Sequence, residues 1–515
     1  MSWEPEINEL KERQRLAQEM GGPERVRRQH EGGKLSVRER IEQLVDAGSF
    51  QEMGSVTGEA RYDESGAIIG FTASYLVIGR ARINGEPVVI SGDDFTVRGG
   101  SSEGGIKDKL LRVEMMARDL RLPLIRLVDG TGGGGSVRTT EVLGYMKCPS
   151  LAGWGLAVQN LSTVPVVALA LGSVAGLGAM RVAGSHYSVM VKQTSQLFVA
   201  GPPVVKRIGQ NYEKNELGGS QIHARNGTVD DEAASEADAF ERTRRFLSYL
   251  PRSVYELATR IESNDDAQRR VEMLIEAIPR DARKVYKVRP IVEAIVDSGS
   301  FFEIGKLWGR SIVTGFARVD GWPVALMASD PYFYGGAWTV DAARKIRRFV
   351  DLAQTFHLPM VHLVDCPGFM IGLEAEQGSA IRFGVETITA INESTIPWCA
   401  IIMRKCFGVA GGAHANNARY SHRYAWPSAQ WGSLPIEGGL EVAYRAEIEA
   451  APDPAAKLAE IEERLRRLGS PFRSAAAFNI DEIIDPRDTR RIVCDFMSVA
   501  AGARQVGAPA FGYRP

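Results

Sequence analysis

The sequence contains no C-x-x-C pair. Its five cysteines (Cys148, Cys366, Cys399, Cys406 and Cys494) are scattered and odd in number, which argues against a disulfide framework or a zinc ribbon and for reduced thiols in a cytoplasmic protein. A surplus of either charge is also missing. Lys and Arg total 62 against 63 Asp and Glu, a net charge of −1, so the chain is not built to coat nucleic acid or an anionic membrane. The opening residues alternate acid and base without an apolar run, and no secretory signal is expected. Residues 148–180 carry no charge, enough length to span a bilayer, but Pro149, Pro165 and glycines at 153, 155, 172, 176 and 178 would leave backbone groups unbonded in lipid. A buried helix, strand and glycine loop is expected there. The patterns H-E-x-x-H and G-x-x-x-x-G-K-[ST] are absent, and the seven histidines show no metal-ligand spacing. No metal site is expected.

Glycine is abundant: 54 of 515 residues, against a usual share of about 7%. The glycines fall into a pattern because the chain repeats itself. VRERIEQLVDAGSFQEMG, from Val37, matches KVRPIVEAIVDSGSFFEIG, from Lys287, with Asp46 opposite Asp297 at a separation of 251. ARINGEPVVI from Ala81 and ARVDGWPVAL from Ala317 lie 236 apart, as do LRLPLIRLVDG from Leu120 and FHLPMVHLVDC from Phe356. VPVVALALGSVAGLGAM, from Val164, parallels IPWCAIIMRKCFGVAGGA, from Ile396, at separations of 232 to 235. The first copy therefore carries about 15 extra residues, near positions 63–71.

Each copy reads as a short helix, an edge strand, a turn at Asn84-Gly85 or Asp320-Gly321, a β-rich run, a long helix, and two buried strands each followed by a glycine loop. Such alternation implies an α/β fold with largely parallel strands. The long helices are expected over residues 107–120 and 340–356, and the buried strands over 123–128, 165–171, 359–364 and 397–403. Residues 217–236 read as a polar connection, 237–249 and 265–280 as helices, and 1–30 as a solvated amphipathic helix.

Glycine loops at the C-terminal ends of parallel strands are where α/β proteins bind ligands. Four stand out: GTGGGG at 130–135, DCPGFMIG at 365–372, GSVAGLG at 172–178 and FGVAGG at 407–412. The first satisfies G-x-G-x-x-G literally, but in so glycine-rich a tract the match carries little weight. Asp129 and Asp365 end equivalent strands, where each caps the following helix or orients a ligand. His357 and His362 read as structural, and Cys406 as a small core residue. What survives is paired glycine loops without an acid, base or nucleophile beside them. Such loops suit an enolate whose oxyanion is held by backbone N–H groups.

GDDFTVRGGS (from Gly92), VMVKQTSQLFVAGPPVV (from Val189), ELGG (from Glu216), DCPGF (from Asp365), RKCFG (from Arg404) and YAWPSA (from Tyr424) resemble the carboxyltransferase (β) subunits of biotin-dependent acyl-CoA carboxylases, such as propionyl-CoA and methylcrotonyl-CoA carboxylases. The resemblance implies two tandem crotonase-like domains related by duplication. Residues 1–30 would form a helical segment, 31–270 the domain on the CoA ester side and 284–515 the domain on the carboxybiotin side. It implies transfer of carboxyl from carboxybiotin, borne by a partner, to an acyl-CoA through a thioester enolate. The matching oxyanion donors are the N–H groups of Gly176 and Leu177 and of Val409 and Ala410, with Gly133, Gly134, Ala175, Gly408, Gly411 and Gly412 lining the substrates.

Neither a biotinylation site nor an ATP-grasp region is present, so the resemblance implies a separate biotin carboxylase and biotin carboxyl carrier, and a homo-oligomer of hexameric type. Leu177 and Val409 stand where relatives carry glycine, Gly412 where propionyl-type members carry Asp, and TGGGGSVR, with Arg138, where relatives show S-G-G-A-R. WGSLPIEGG, from Trp431, replaces M-G-x-x-x-A. Three alternatives remain at this stage: a decarboxylase subunit working in reverse, a biotin-independent hydratase or isomerase using Glu374 and Glu376, and a non-catalytic scaffold.

Overall fold

The computed structural model describes residues 2–101, 107–130, 141, 144–146, 148, 151, 153–281, 283–509 and 511–515. The chain forms two units, Met1–Glu256 together with Phe511–Pro515, and Leu257–Ala510.

Unit 1 begins with helices α1 (Glu4–Gln18), α2 (Pro23–Glu31) and α3 (Val37–Leu44). Ser36 and Glu39 cap α3 reciprocally, and Val37, Ile41 and Leu44 form its buried face. Strands β1 (Gln51–Met53), β2 (Gly58–Tyr62), β3 (Ile68–Ala73), β4 (Leu76–Ile83) and β5 (Glu86–Asp93) lead into α4 (Lys107–Leu120). After it come β6 (Leu124–Val128), β7 (Val166–Ala170), β8 (Ser173–Ala175), β9 (Tyr187–Val191), β10 (Gln196–Phe198) and β11 (Asp231–Ala233). Among the described residues the main sheet runs β1-β4-β5-β6-β7-β9-β11, antiparallel through β5 and parallel beyond it. β6 and β7 are buried at every position, as parallel strands covered on both faces must be.

Unit 2 repeats the plan with β12 (Phe302–Ile304), β13 (Ile312–Val319), β14 (Trp322–Ser329), β15 (Met360–Cys366), β16 (Trp398–Phe407), β17 (His422–Ala425), β18 (Gln430–Gly432) and β19 (Glu482–Ile483). Its sheet runs β12-β13-β14-β15-β16-β17-β19, with β18 extending the far end of β16.

The duplication is written in the backbone. Asn84 and Asp320 (φ 53° and 50°), Arg98 and Tyr334 (52° and 53°), and Arg121 and His357 (54° and 58°) are left-handed non-glycine residues, each pair 236 apart. Few side-chain-bearing residues adopt this conformation, so its recurrence at matched positions marks one ancestral chain path. Ion pairs recur as well: Arg38–Glu52 at 2.8 Å and Arg289–Glu303 at 2.5 Å, both partners 251 apart. Asp46 and Asp297 each accept the two N–H groups of their hairpin turn. The extra residues of the first copy form the antiparallel hairpin β2–β3.

Three expectations change. Residues 1–30 form two helices, broken around Met20 and Gly22, whose φ angles are 55° and 94°. Residues 217–236 do not connect the halves: β11 and the helix Glu236–Leu247 belong to unit 1. Residues 265–280 contain one short 3₁₀ turn, Glu272–Ile275, in place of a helix. There the guanidinium of Arg490 takes the carbonyls of Asp265 and Asp266, which a helix would need for its own N–H groups. Among the described residues, no helix is long and apolar enough to cross a membrane, and residues 148–180 contribute the short helix Trp154–Leu161, β7 and β8.

Phe511–Pro515 returns to unit 1, where Tyr513 is buried with its ring 4.4 Å from that of His186.

Candidate functional site

In each unit the second buried strand runs out into a glycine with left-handed φ and then a short helix. In unit 1, β8 pairs with β10, and Gly176 (φ 59°, ψ −125°) turns the chain into the helix Leu177–Ala183. In unit 2, β16 ends at Phe407, held by β18 through Gly432, and Gly408 (φ 61°) opens the turn Gly408–Gly412. Gly176 and Gly408 are 232 apart, so Leu177 matches Val409 and Gly178 matches Ala410. First-turn N–H groups of a helix have no acceptor within it, and both turns present them at a strand end.

The individual positions differ in what they offer. The N–H of Gly176 donates to the carbonyl of Phe198 at 3.2 Å, so the first donor beyond the turn is that of Leu177. Ala175, half-buried, pairs with Phe198. Val409 is 67% exposed, whereas Ala410 is buried. Gly411 is required by close approach, because a Cβ there would lie 2.6 Å from the carbonyl carbon of Cys406. At Gly412 a Cβ would meet nothing within 4 Å, leaving open space. Gly133, Gly134 and Arg138 lie outside the described residues.

Asp129 and Asp365 lie at the matched ends of β6 and β15, and Asp365 does not cap the helix that follows it, Leu373–Gln377, whose N-cap is Gly372. Both are fully buried and paired. Asp129 accepts from Arg40 Nη1 at 2.9 Å, Gln29 Nε2 at 3.0 Å and Lys34 Nζ at 3.2 Å. Arg40 also forks onto Glu236 and donates to the Leu171 carbonyl at 2.8 Å. Burial opposes the charge on Arg40, but Asp129 and Glu236 outweigh it and raise its pKa. Asp365 accepts from Tyr286 Oη at 2.8 Å, Arg404 Nε at 3.0 Å and the Lys405 N–H at 3.0 Å. Burial, reinforced by Asp365, pushes the Tyr286 phenol well up. These pairs brace the strand ends from which the glycine turns spring. Sequence reading missed the arginines, although Arg40 sits between Val37, Ile41 and Leu44 on the apolar face of α3, and Arg404 interrupts an apolar strand.

The remaining assignments are structural. His362 is buried, its pKa lowered to about 3 by burial, with Nδ1 3.1 Å from the His414 carbonyl oxygen. Burial raises Cys406 to about 12, so it is no activated thiol. Glu374 and Glu376 lie exposed in the short helix Leu373–Gln377.

The carboxyl transferase domain family matches residues 28–511. The carboxyltransferase subunit of propionyl-CoA carboxylase from Haloferax mediterranei is 32% identical over 96% of each chain. The methylmalonyl-CoA carboxyltransferase 12S subunit of Propionibacterium freudenreichii is 33% identical over 98% of this chain and 95% of its own. A crystal structure of transcarboxylase 12S, described as a hexamer with methylmalonyl-coenzyme A and methylmalonic acid bound, superposes with a TM-score of 0.89 at 31% identity, covering 100% of this chain and 98% of its own. A single-chain, multi-domain long-chain acyl-CoA carboxylase gives 0.80 at 27% identity, with 95% of this chain matching 48% of its own.

Proposed function

The chain belongs to the carboxyl transferase family and is a carboxyltransferase of the biotin-dependent acyl-CoA carboxylase class, and we propose how its two units divide the reaction. Unit 1 takes the CoA ester and unit 2 the biotin of a carrier on a separate chain. The observation that carries this division is the pair of matched turns at Gly176 and Gly408, with φ angles of 59° and 61°, each delivering helix N–H groups at a strand end.

In unit 1 the N–H groups of Leu177 and Gly178 hold the thioester oxygen as it becomes an enolate. Gly176 contributes the turn and Ala175 the adjoining wall. Oriented donors act most strongly on the charge that develops in the transition state. In unit 2 the N–H groups of Val409 and Ala410 hold the urea oxygen of biotin, between Gly408 and the close-packed Gly411. Bound there, biotin supplies the activated carboxyl group and, at its ureido nitrogen, the acceptor for the substrate's α-proton. The residues fit such a carrier-borne group, because Val409 is exposed and the space beside Gly412 is empty. That same opening leaves room for an acyl group bulkier than one facing a side chain would allow. The side chains of Leu177 and Val409 point away from the ligands in this arrangement, since backbone donors need no glycine.

The biotin carboxylase and carrier are partner subunits, and the chain assembles as a homohexamer like its 12S relative. The five free thiols suit a reducing cytoplasm. The test is to incubate the purified protein with a panel of carboxylated acyl-CoAs and free biocytin and to follow the thioesters by mass spectrometry. We expect one member to lose its carboxyl group only when biocytin is present. Failure of every member to react would overturn the division of labour.

A further inference from the structure

The helix Leu177–Ala183, whose first N–H groups leave the unit 1 turn, is gripped at its other end. Arg126, fully buried in the middle of β6, donates from Nη1 to the carbonyls of Gly184 at 2.9 Å and Arg181 at 3.3 Å. These belong to the terminal carbonyls that a helix leaves without a partner of its own. The rest of the guanidinium turns to Glu114 of α4, with Nη2 at 2.8 Å and Nε at 3.1 Å from one carboxylate oxygen. Asn160 holds the other carboxylate oxygen at 2.7 Å and the Glu114 carbonyl at 3.0 Å. Arg181 ties the same helix to β5, its Nη2 3.3 Å from Ser91 Oγ and its Nη1 3.6 Å from Asp93.

Burial works against the charge on Arg126 and lowers its pKa, with Glu114 opposing. A buried ion pair is often no more stabilising than apolar residues of the same volume, and unit 2 holds the neutral alternative. Val350 stands where unit 1 has Glu114 and His362 where it has Arg126, each 236 residues on. The charge is lost there, but the contact is kept. His362 Nδ1 lies 3.1 Å from the carbonyl oxygen of His414, just beyond the turn Gly408–Gly412, and Trp398 Nε1 donates to the same oxygen at 2.8 Å. Burial keeps the His362 ring neutral, so the nitrogen facing that carbonyl is the one carrying the proton. In both units the same position on the first buried strand donates to the carbonyl end of the segment that the glycine turn opens.

Resting on the reading that the N–H groups of Leu177 and Gly178 hold the enolate oxygen, we propose that Arg126 is a positioning residue for carboxyl transfer. Through the carbonyls of Arg181 and Gly184 it sets the direction in which the helix delivers those donors, and His362 does the same for the unit 2 turn. Being fully buried, Arg126 acts only through the helix. Seven residues span about 10 Å, so the grip is remote from the reacting atoms, yet a misplacement of about 1 Å at those atoms can cost about 10²-fold in rate.

The test measures kcat and KM for transfer to free biocytin from the carboxylated acyl-CoA of the panel that reacts. Glu114→Val with Arg126→Met removes the ion pair and the donor together, whereas Glu114→Val with Arg126→His installs the unit 2 residues and keeps a donor. The Met pair should lower kcat about 10- to 100-fold with KM changed less than about twofold, the signature of an interaction that matters in the transition state. The His pair should recover most of that loss. Wild-type kcat in the Met pair, or an equal loss in both pairs, overturns the assignment. Where circular dichroism shows the Met pair unfolded, Arg126→Lys takes its place, keeping a cation beside Glu114 without the planar fork. It should lower kcat about tenfold at unchanged KM, and wild-type kcat in it overturns the assignment as well. A wild type that transfers carboxyl from no member of the panel takes the division of units down with this proposal. A wild type that transfers carboxyl, with variants that match it, removes Arg126 alone.

Discussion

Unit 1 holds a chain of buried charge that unit 2, on the same strand framework, does without. In unit 1, Arg126 pairs with Glu114 at 2.8 Å, Asn160 joins that carboxylate at 2.7 Å, and Arg181 lies 3.6 Å from Asp93. At the matched positions unit 2 has His362, Val350, Asn392, Ala413 and Ser329. Where both units keep a buried carboxylate, its countercharge arrives from different elements. Asp129 is met by Arg40 of α3, while the equivalent of Arg40 is apolar Ile291; Asp365 is met by Arg404 of β16, at the position where unit 1 has Gly172. The glycine is obligatory, because a Cβ on Gly172 would lie 1.9 Å from Asp129 Oδ1. The framework therefore accepts either ionic or neutral interiors, provided each buried charge finds a partner. Apolar pattern and glycine turns specify the fold. The charges are particular to each unit.

Breaking that partnership should have the largest effect. Arg40→Met takes the buried guanidinium from Glu236 and leaves Asp129 with Lys34 as its cation, and should cost about 3–5 kcal/mol, read as an early unfolding step in urea. Ala410→Pro deletes one N–H of the unit 2 turn and should lower turnover with biocytin about 10²–10³-fold, near-native circular dichroism being retained. Gly172→Ala crowds Asp129 and should destabilise by about 1–3 kcal/mol, whereas Arg404→Gly in unit 2 removes a countercharge. Adding Ile291→Arg to Arg404→Gly rebuilds the unit 1 arrangement and should recover part of the lost stability. No recovery would show that the two solutions are not interchangeable.

The smallest effect is a slope with pH. Burial raises Asp93 to about 6, with Arg181 opposing, from a usual value of about 3.9. A carboxyl whose pKa is higher folded than unfolded supports the fold below the unfolded value and loses that support as pH rises through the folded one. Unit 1 should therefore weaken from about pH 4 to pH 6. Asp93→Ser with Arg181→Ala, which installs the unit 2 residues, should flatten that slope in urea midpoints taken across this range.

The α/β class, the duplication, the long helices and the buried strands were legible because apolar period and glycine spacing carry them locally. The matched turns were legible for the same reason, since a strand end followed by glycine reads alike in both copies. The roles of Asp129 and Asp365 were not. Their partners sit 89 residues away in Arg40 and 39 away in Arg404, and no local pattern announces a pairing over that distance. The missing helix at 265–280 failed for a related reason: Arg490, over 220 residues on, takes its carbonyls.

The return of Phe511–Pro515 to unit 1 orders events during synthesis. Unit 1 emerges from the ribosome first, yet the place beside His186 stays vacant until Tyr513 has been made, after all of unit 2. The contact that closes the first unit is therefore the last to become available as the chain is made.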